Sequence, residues 1–255
     1  ERPARHGRGS DESLRLNGRP ATDADLTNRF VVGPGGGIDE LGEPDVLYRN
    51  QGGTNWTAVP YTGGQFRDEE GRPFTQPLYD WGLTAAFRDL NGDGQPDLYV
   101  CNDFHSPDRL WLNQGHGVFQ LAPRLALRKT SEFSMAVDFA DVNRDGHDDF
   151  LVLDMLSRDH VLRQRYMGDS SRAARVIGVF DDRPQYGIDT LALNRGDGTF
   201  AEIAQLSGLE AAEWAWSCIF VDVDLDGWED LLVANGMERA ARDMDVAERM
   251  KMLRA

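Results

Sequence analysis

Basic residues are scarce in this chain. Its 255 residues hold 27 Lys plus Arg against 43 Asp plus Glu, a formal net charge of -16, and no basic patch large enough to track a phosphate backbone offsets the difference. Nucleic acid is therefore not an expected partner, nor is an anionic membrane surface. Cysteine is nearly absent: Cys101 and Cys218 are too few for the disulfide framework of a small secreted scaffold, which a chain of this length does not need. No run approaches the roughly 20 apolar residues of a spanning helix. The opening Glu1-Arg2-Pro3-Ala4-Arg5 has neither an initiator Met nor an apolar signal core, so a mature form or an excised piece is expected. Glutamate is also short, 13 against 30 Asp. Generic solvated surfaces use both acids, and the bias points to short-armed ligands in tight loops. With 40% hydrophobic residues the chain can bury a full core, which excludes a disordered polymer.

Self-similarity organises what is present. Trp81 to Asn102, Phe133 to Asp154 and Trp214 to Asn235 align without a gap, each centred on D-x-[DN]-x-D-G-x-x-D. The copies are DLNGDGQPD from Asp89, DVNRDGHDD from Asp141 and DVDLDGWED from Asp222. Aromatics stand eight residues before each first Asp (Trp81, Phe133, Trp214) and two before it (Phe87, Phe139, Phe220). Apolar residues at even offsets predict a strand with one face inward, and LYVC, FLVL or LLVA after the loop predicts a second strand.

A matched pair follows two of these units: RLWLNQGHGVF from Arg109 and TLALNRGDGTF from Thr190, each with the signature of a β-hairpin. VLYRNQGGTNW from Val46 is related to them. The first Asp residues are 52 and 81 positions apart, and the 29-residue difference falls entirely between the last loop Asp and the hairpin Asn, which are 16 apart in one copy and 45 in the next. The unit is thus four strands, one copy carrying an insertion between its second and third. Small four-stranded antiparallel sheets repeating at this interval bury their faces only against neighbours, which predicts an all-β propeller with helical insertions.

These residues resemble the FG-GAP/VCBS calcium-binding blades of integrin α-chain propellers. VLDMLSRDH from Val152 and VANGMERAARDMD from Val233 make the layout similar to bacterial ASPIC/UnbV, cartilage acidic protein-like members. The likeness covers roughly residues 30 to 245. It implies a ring of about seven blades, of which this chain supplies a partial blade (29–62), blades at 80–122 and 132–206, the second with its insertion within 154–190, and a half blade (213–236). Residues 1–28 form a poorly defined segment and 237–255 a helical one. Because a half blade would leave a strand edge unpaired, residues 1–255 are expected to be an excerpt of a longer chain.

In the acidic loops, positions 1, 3 and 5 aim oxygens inward, Gly at 6 permits a sharp turn and position 9 closes the shell, as in the first half of an EF-hand loop. Hard oxygens in that number select Ca²⁺, about three ions in all. The candidate ligands are Asp89, Asn91, Asp93 and Asp97; Asp141, Asn143, Asp145 and Asp149; and Asp222, Asp224, Asp226 and Asp230. Gln95, His147 and Trp228 at position 7 contribute backbone carbonyls, so their side chains vary freely.

Other signals are weaker. Arg195-Gly196-Asp197 is an integrin-recognised tripeptide but sits in a hairpin turn whose sister reads Gln114-Gly115-His116, so the turn explains it and cell adhesion through it is not expected. Asn102, Asp103, His105 and Asp108 offer acid/base groups, with Asp103 and His105 the candidates; a polar loop between the second and third strands is the favoured reading of them. The insertion carries Arg158, Arg163, Arg165, Arg172 and Arg175, on the face opposite the ions. The expected function is a non-enzymatic, calcium-stabilised binding module, extracellular, at the cell surface or periplasmic, with a protein or glycan at the insertion face. The alternatives are a polysaccharide lyase-like enzyme on the same scaffold and a structural segment of a larger surface protein.

Overall fold

The computed structural model describes residues 15–16, 19–20, 30–32, 38–104, 106–166, 183–236 and 244–253. The chain is mostly β. Two short antiparallel pairs come first, β1 (Arg15–Leu16) with β2 (Arg19–Pro20) and β3 (Phe30–Val32) with β4 (Ile38–Glu40). A hairpin of β5 (Leu47–Gly52) and β6 (Asn55–Val59) follows, turned through Gly52 and Gly53 at positive φ, and then β7 (Phe66–Arg67).

The first complete blade orders β8 (Gly82–Arg88), β9 (Asp97–Asn102), β10 (Arg109–Asn113) and β11 (Phe119–Leu121) as an antiparallel meander. It departs from a four-stranded blade in one respect, because β7 adds in parallel to the outer edge of β11. Phe66 anchors that strand by packing 5.1 Å from the buried Trp111 and 5.8 Å from Phe119. The short β12 (Thr130–Ser131) leads into the second blade, β13 (Ala136–Ala140), β14 (Asp149–Leu153), β17 (Thr190–Asn194) and β18 (Phe200–Glu202), which is four-stranded and antiparallel throughout.

Between β14 and β17 lie β15 (Met155–Leu156), helix α1 (His160–Tyr166) and β16 (Gln185–Tyr186), the last paired in parallel with β12. Arg172 and Arg175 lie outside the described residues. Helix α2 (Ala204–Ser207) closes the second blade, then β19 (Glu213–Val221) and β20 (Asp230–Asn235) form a third sheet to which β15 adds. Helix α3 (Met244–Leu253) comes last. Among the described residues no helix is long and apolar enough to cross a membrane.

Three apolar clusters sit between successive sheets. Leu47, Val59, Tyr61 and Phe66 meet Leu98, Val100 and Trp111; Tyr99, Cys101 and Leu110 meet Val137, Phe150 and Val152; Ala136, Leu151 and Leu153 meet Cys218, Phe220, Leu231 and Val233. Alternate residues of one strand serve opposite clusters because strand side chains point to opposite faces. That is why β9 and β14 are buried along their whole length. Both cysteines are free; Cys101 is buried and Cys218 half-buried in these clusters. Polar contacts tie the blades as well: Thr84 Oγ1 donates to the Met135 carbonyl (2.8 Å) and Arg88 pairs with Asp148.

Candidate metal centre

Each acidic loop joins the first strand of its sheet to the second, and all three fold the same way. In the first, Asp89 accepts from the backbone N–H groups of Gly92, Asp93 and Gly94, Asn91 Oδ1 from Asp93 N and Asp93 Oδ1 from Gln95 N. In the second, Asp141 accepts from Asp145 and Gly146, Asn143 from Asp145 and Asp145 from His147. In the third, Asp222 accepts from Asp226 and Gly227, Asp224 from Asp226 and Asp226 from Trp228. Short Asp and Asn side chains make this possible because they reach backbone donors two to five residues on.

The turn requires left-handed backbone at two positions. Position 6 is Gly94, Gly146 or Gly227, with φ of 82°, 88° and 86°. Position 4 is Gly92 in the first loop but Arg144 and Leu225 in the others, with φ of 60° and 61°. A side chain there costs about 1 kcal/mol per residue, offset by the hydrogen bonds around it.

Position 9 distinguishes the loops. Asp97 and Asp149 are buried, each taking two backbone donors: Leu90 and Asn113 for Asp97, Val142 and Asn194 for Asp149. Burial pushes both carboxyls above the ordinary carboxylate range while those N–H groups pull them back. Asp230 accepts from Val223 N and is exposed, because a third strand supplying the equivalent of Asn113 or Asn194 is not beside it among the described residues.

In the third loop, carboxylate oxygens of Asp222, Asp224 and Asp226 lie within 4.8 Å of one another, close enough to share one Ca²⁺ at roughly 2.4 Å from each, and Asp230 is not part of this group. The first two loops replace one carboxylate by an amide, whose Nδ2 donates to position 5: Asn91 to Asp93 at 3.1 Å and Asn143 to Asp145 at 2.9 Å. Position 7 side chains point away to other work. Gln95 lies against Gly115, His147 against Gly196, and the Trp228 ring carries the Arg144 guanidinium at 4.1 Å. The loops thus lean on the hairpin turn of their own blade, or on the neighbouring loop where that hairpin is lacking.

Of the acid/base candidates, His105 lies outside the described residues, and Asp103 Oδ1 accepts from the backbone N–H of Phe104. Asp108 is fully buried and accepts from Tyr99 Oη, Ser134 Oγ and Asn102 N; burial pushes its carboxyl up to about 7. In the second blade the same position is Asp189, which accepts from Asp154 N and is pushed up to about 8, again by burial. Both stand five residues before a hairpin Asn, as does Asp45 before Asn50. This repeated Asp, locking the end of the second strand to the start of the third, was visible one residue upstream of the hairpin motif. At the insertion end Arg158 Nε donates to the Ala211 carbonyl, and Arg163 Nε donates to that of Ser157 while its guanidinium pairs with Glu210 at 3.4 Å. Tyr186 and Val161 are exposed there.

Among solved structures, an Agrocybe aegerita lectin, studied for recognition of non-reducing terminal N-acetylglucosamine, shares 18% identity over 81% of this chain. The chain spans 60% of that lectin, and a TM-score of 0.33 lends the likeness no weight for fold or ligand. A search of curated proteins finds no match. The family model of the FG-GAP-like repeat matches residues 38–100, 89–152 and 176–233, over half of the chain. Each match includes strands either side of an acidic loop, so the loops, their paired strands and the sequence match agree: the chain belongs to the FG-GAP-like repeat family.

Proposed function

We propose that this chain is a calcium-stabilised binding module, part of a propeller ring of the ASPIC/UnbV kind, working outside the cytoplasm. The observation that carries the reading is the threefold recurrence of one loop conformation with oxygens at positions 1, 3, 5 and 9. Bound Ca²⁺ would supply positive charge to converging carboxylates that otherwise repel. Asp89, Asn91, Asp93 and Asp97 would hold it in the first loop, with the equivalent residues in the others. Such loops suit compartments rich in Ca²⁺, which supports an extracellular or periplasmic setting. The strand registers put the insertion at the end of the blades away from the acidic loops, since Ala140 pairs with Asp149 at one end and Ala136 with Leu153 at the other. A protein or glycan partner would meet the exposed Tyr186 and Val161 at that end.

Thermal unfolding tests this directly. Ions that bind the folded chain alone stabilise it, so excess EDTA should lower Tm and millimolar Ca²⁺ restore it, while Mg²⁺ at the same concentration should not. An unchanged Tm across the three conditions would refute the reading.

A further inference from the structure

The first and second acidic loops are tied to each other through the residues on either side of Asp89. Before it, the Arg88 guanidinium takes both carboxylate oxygens of Asp148, at position 8 of the second loop, with Nε to Oδ2 at 2.5 Å and Nη2 to Oδ1 at 2.8 Å. After it, the Leu90 carbonyl accepts from Asn194 Nδ2 of the second blade's hairpin at 2.7 Å, and the Leu90 side chain is buried in the cluster between the two blades. Asp89 in turn organises its own loop, because its carboxylate takes the N–H groups of Gly92, Asp93 and Gly94. Holding the backbone on both sides of Asp89 therefore holds its oxygens in place.

Asn194 is 3% exposed, and its other groups serve the second blade. Its backbone N–H donates to Asp149 Oδ1 at 2.8 Å, its amide also reaches the Asp148 carbonyl at 3.2 Å, and its Oδ1 accepts from Gly196 N. One chain of hydrogen bonds thus runs from Asp97, which accepts from Leu90 N, through Leu90 and Asn194 to Asp149. Its two ends are the position 9 carboxylates of the two loops. A hydrogen bond in a buried setting is electrostatically stronger than one in water, so a shift at one end is felt at the other. The ion pair is particular to this boundary: between the second and third loops the places of Arg88 and Asp148 are taken by Ala140 and Glu229, and Arg144 lies instead on the Trp228 ring.

Resting on the calcium reading above, we propose that Asn194 and Asp148 of the second blade are positioning residues for the first blade's calcium loop, so that the first and second loops bind their ions cooperatively. Ordering of either loop restrains Arg88 and Leu90 through these contacts, and the other loop then binds without meeting that entropy cost again. The coupling is reciprocal, as linkage requires.

Calorimetric titration of loop-deficient chains with Ca²⁺ tests this. Asp222→Asn with Asp224→Asn leaves the first two loops. Adding Asp141→Asn with Asp145→Asn leaves the first alone, and adding Asp89→Asn with Asp93→Asn instead leaves the second alone; circular dichroism like the parent's shows that each chain folds. The product of the two stepwise binding constants of the two-loop chain should exceed the product of the single-loop constants by ~5-fold or more. Asn194→Ser, or the gentler Asp148→Ala at a partly exposed pair, introduced into all three chains should bring that excess towards one. A merely structural role would weaken all three chains and leave the excess as it was. The chain that keeps only the first and third loops should show no excess. Equal products in the unaltered set would overturn the proposal and leave the calcium sites standing, whereas no saturable heat in any chain would overturn both.

Discussion

The second blade and the half blade after it begin from the same repeat, yet their second strands end in opposite environments. β14 is buried from Asp149 to Leu153, flanked by β13 and β17 and covered on both faces. Among the described residues β20 has one neighbour and one covered face, so Leu231 and Val233 are half-buried while Asp230, Leu232 and Ala234 are exposed. Leu151 and Leu232 are the same residue at the same repeat position, 0% and 63% exposed. The strand sequence therefore specifies which residues could be buried, and the neighbours decide which are.

That contrast is sharpest in the cores. Leu151→Ala should cost about 2–5 kcal/mol by urea denaturation, because the cavity it opens is closed on all sides. Leu232→Ala should cost less than about 1 kcal/mol. Equal losses would show that β20 is covered in solution.

The loop carboxylates should separate in the same direction by less. With Ca²⁺ removed by excess EDTA, Asp149→Ala strands the buried N–H of Asn194 and the half-buried N–H of Val142 and should cost about 2–4 kcal/mol. Asp230→Ala frees only Val223 N near solvent and should cost about 1 kcal/mol or less. Similar costs would mean that the second blade gains nothing from burying its ninth loop residue.

Asp189, buried in the complete blade, gives a pH signature with no counterpart in the half blade. Its folded value of about 8 lies above the ordinary 3.8, so between those values the folded chain holds a proton that the unfolded chain has released. Stability from this group is greatest at the acid end of that window and falls as pH rises through it. Asp189→Asn removes the titration and keeps the acceptor for Asp154 N, so it should flatten this slope and gain about 1–2 kcal/mol at pH 8.5. An unaltered profile from pH 5 to 8.5 would assign the slope elsewhere. The smallest effect lies where the half blade leans on the second: Arg144→Ala should cost about 0.5–1 kcal/mol in the third loop, read as altered Trp228 fluorescence.

Much of this was legible in the chain itself. The acidic loops announce themselves because ligand geometry fixes residue type at fixed spacing, and the strands around them because burial on one face imposes a period of two. The parallel additions of β7 to β11 and of β16 to β12 were not, since two-residue strands have no period and their partners are distant in sequence. The left-handed fourth loop position was hidden by Arg144 and Leu225, residue types that do not advertise it. Phe87, Phe139 and Phe220 read alike, yet Phe87 borders an open cleft while Phe139 and Phe220 pack into the clusters between sheets, a difference set by the preceding sheet.

Titration calorimetry of the chelated chain with Ca²⁺ tests the central claim most directly. About three ions should bind per chain, with binding weakening in acid as the carboxylates protonate, and Asp222→Asn with Asp224→Asn should remove one ion and leave two. Absence of saturable heat in the parent chain would contradict the account.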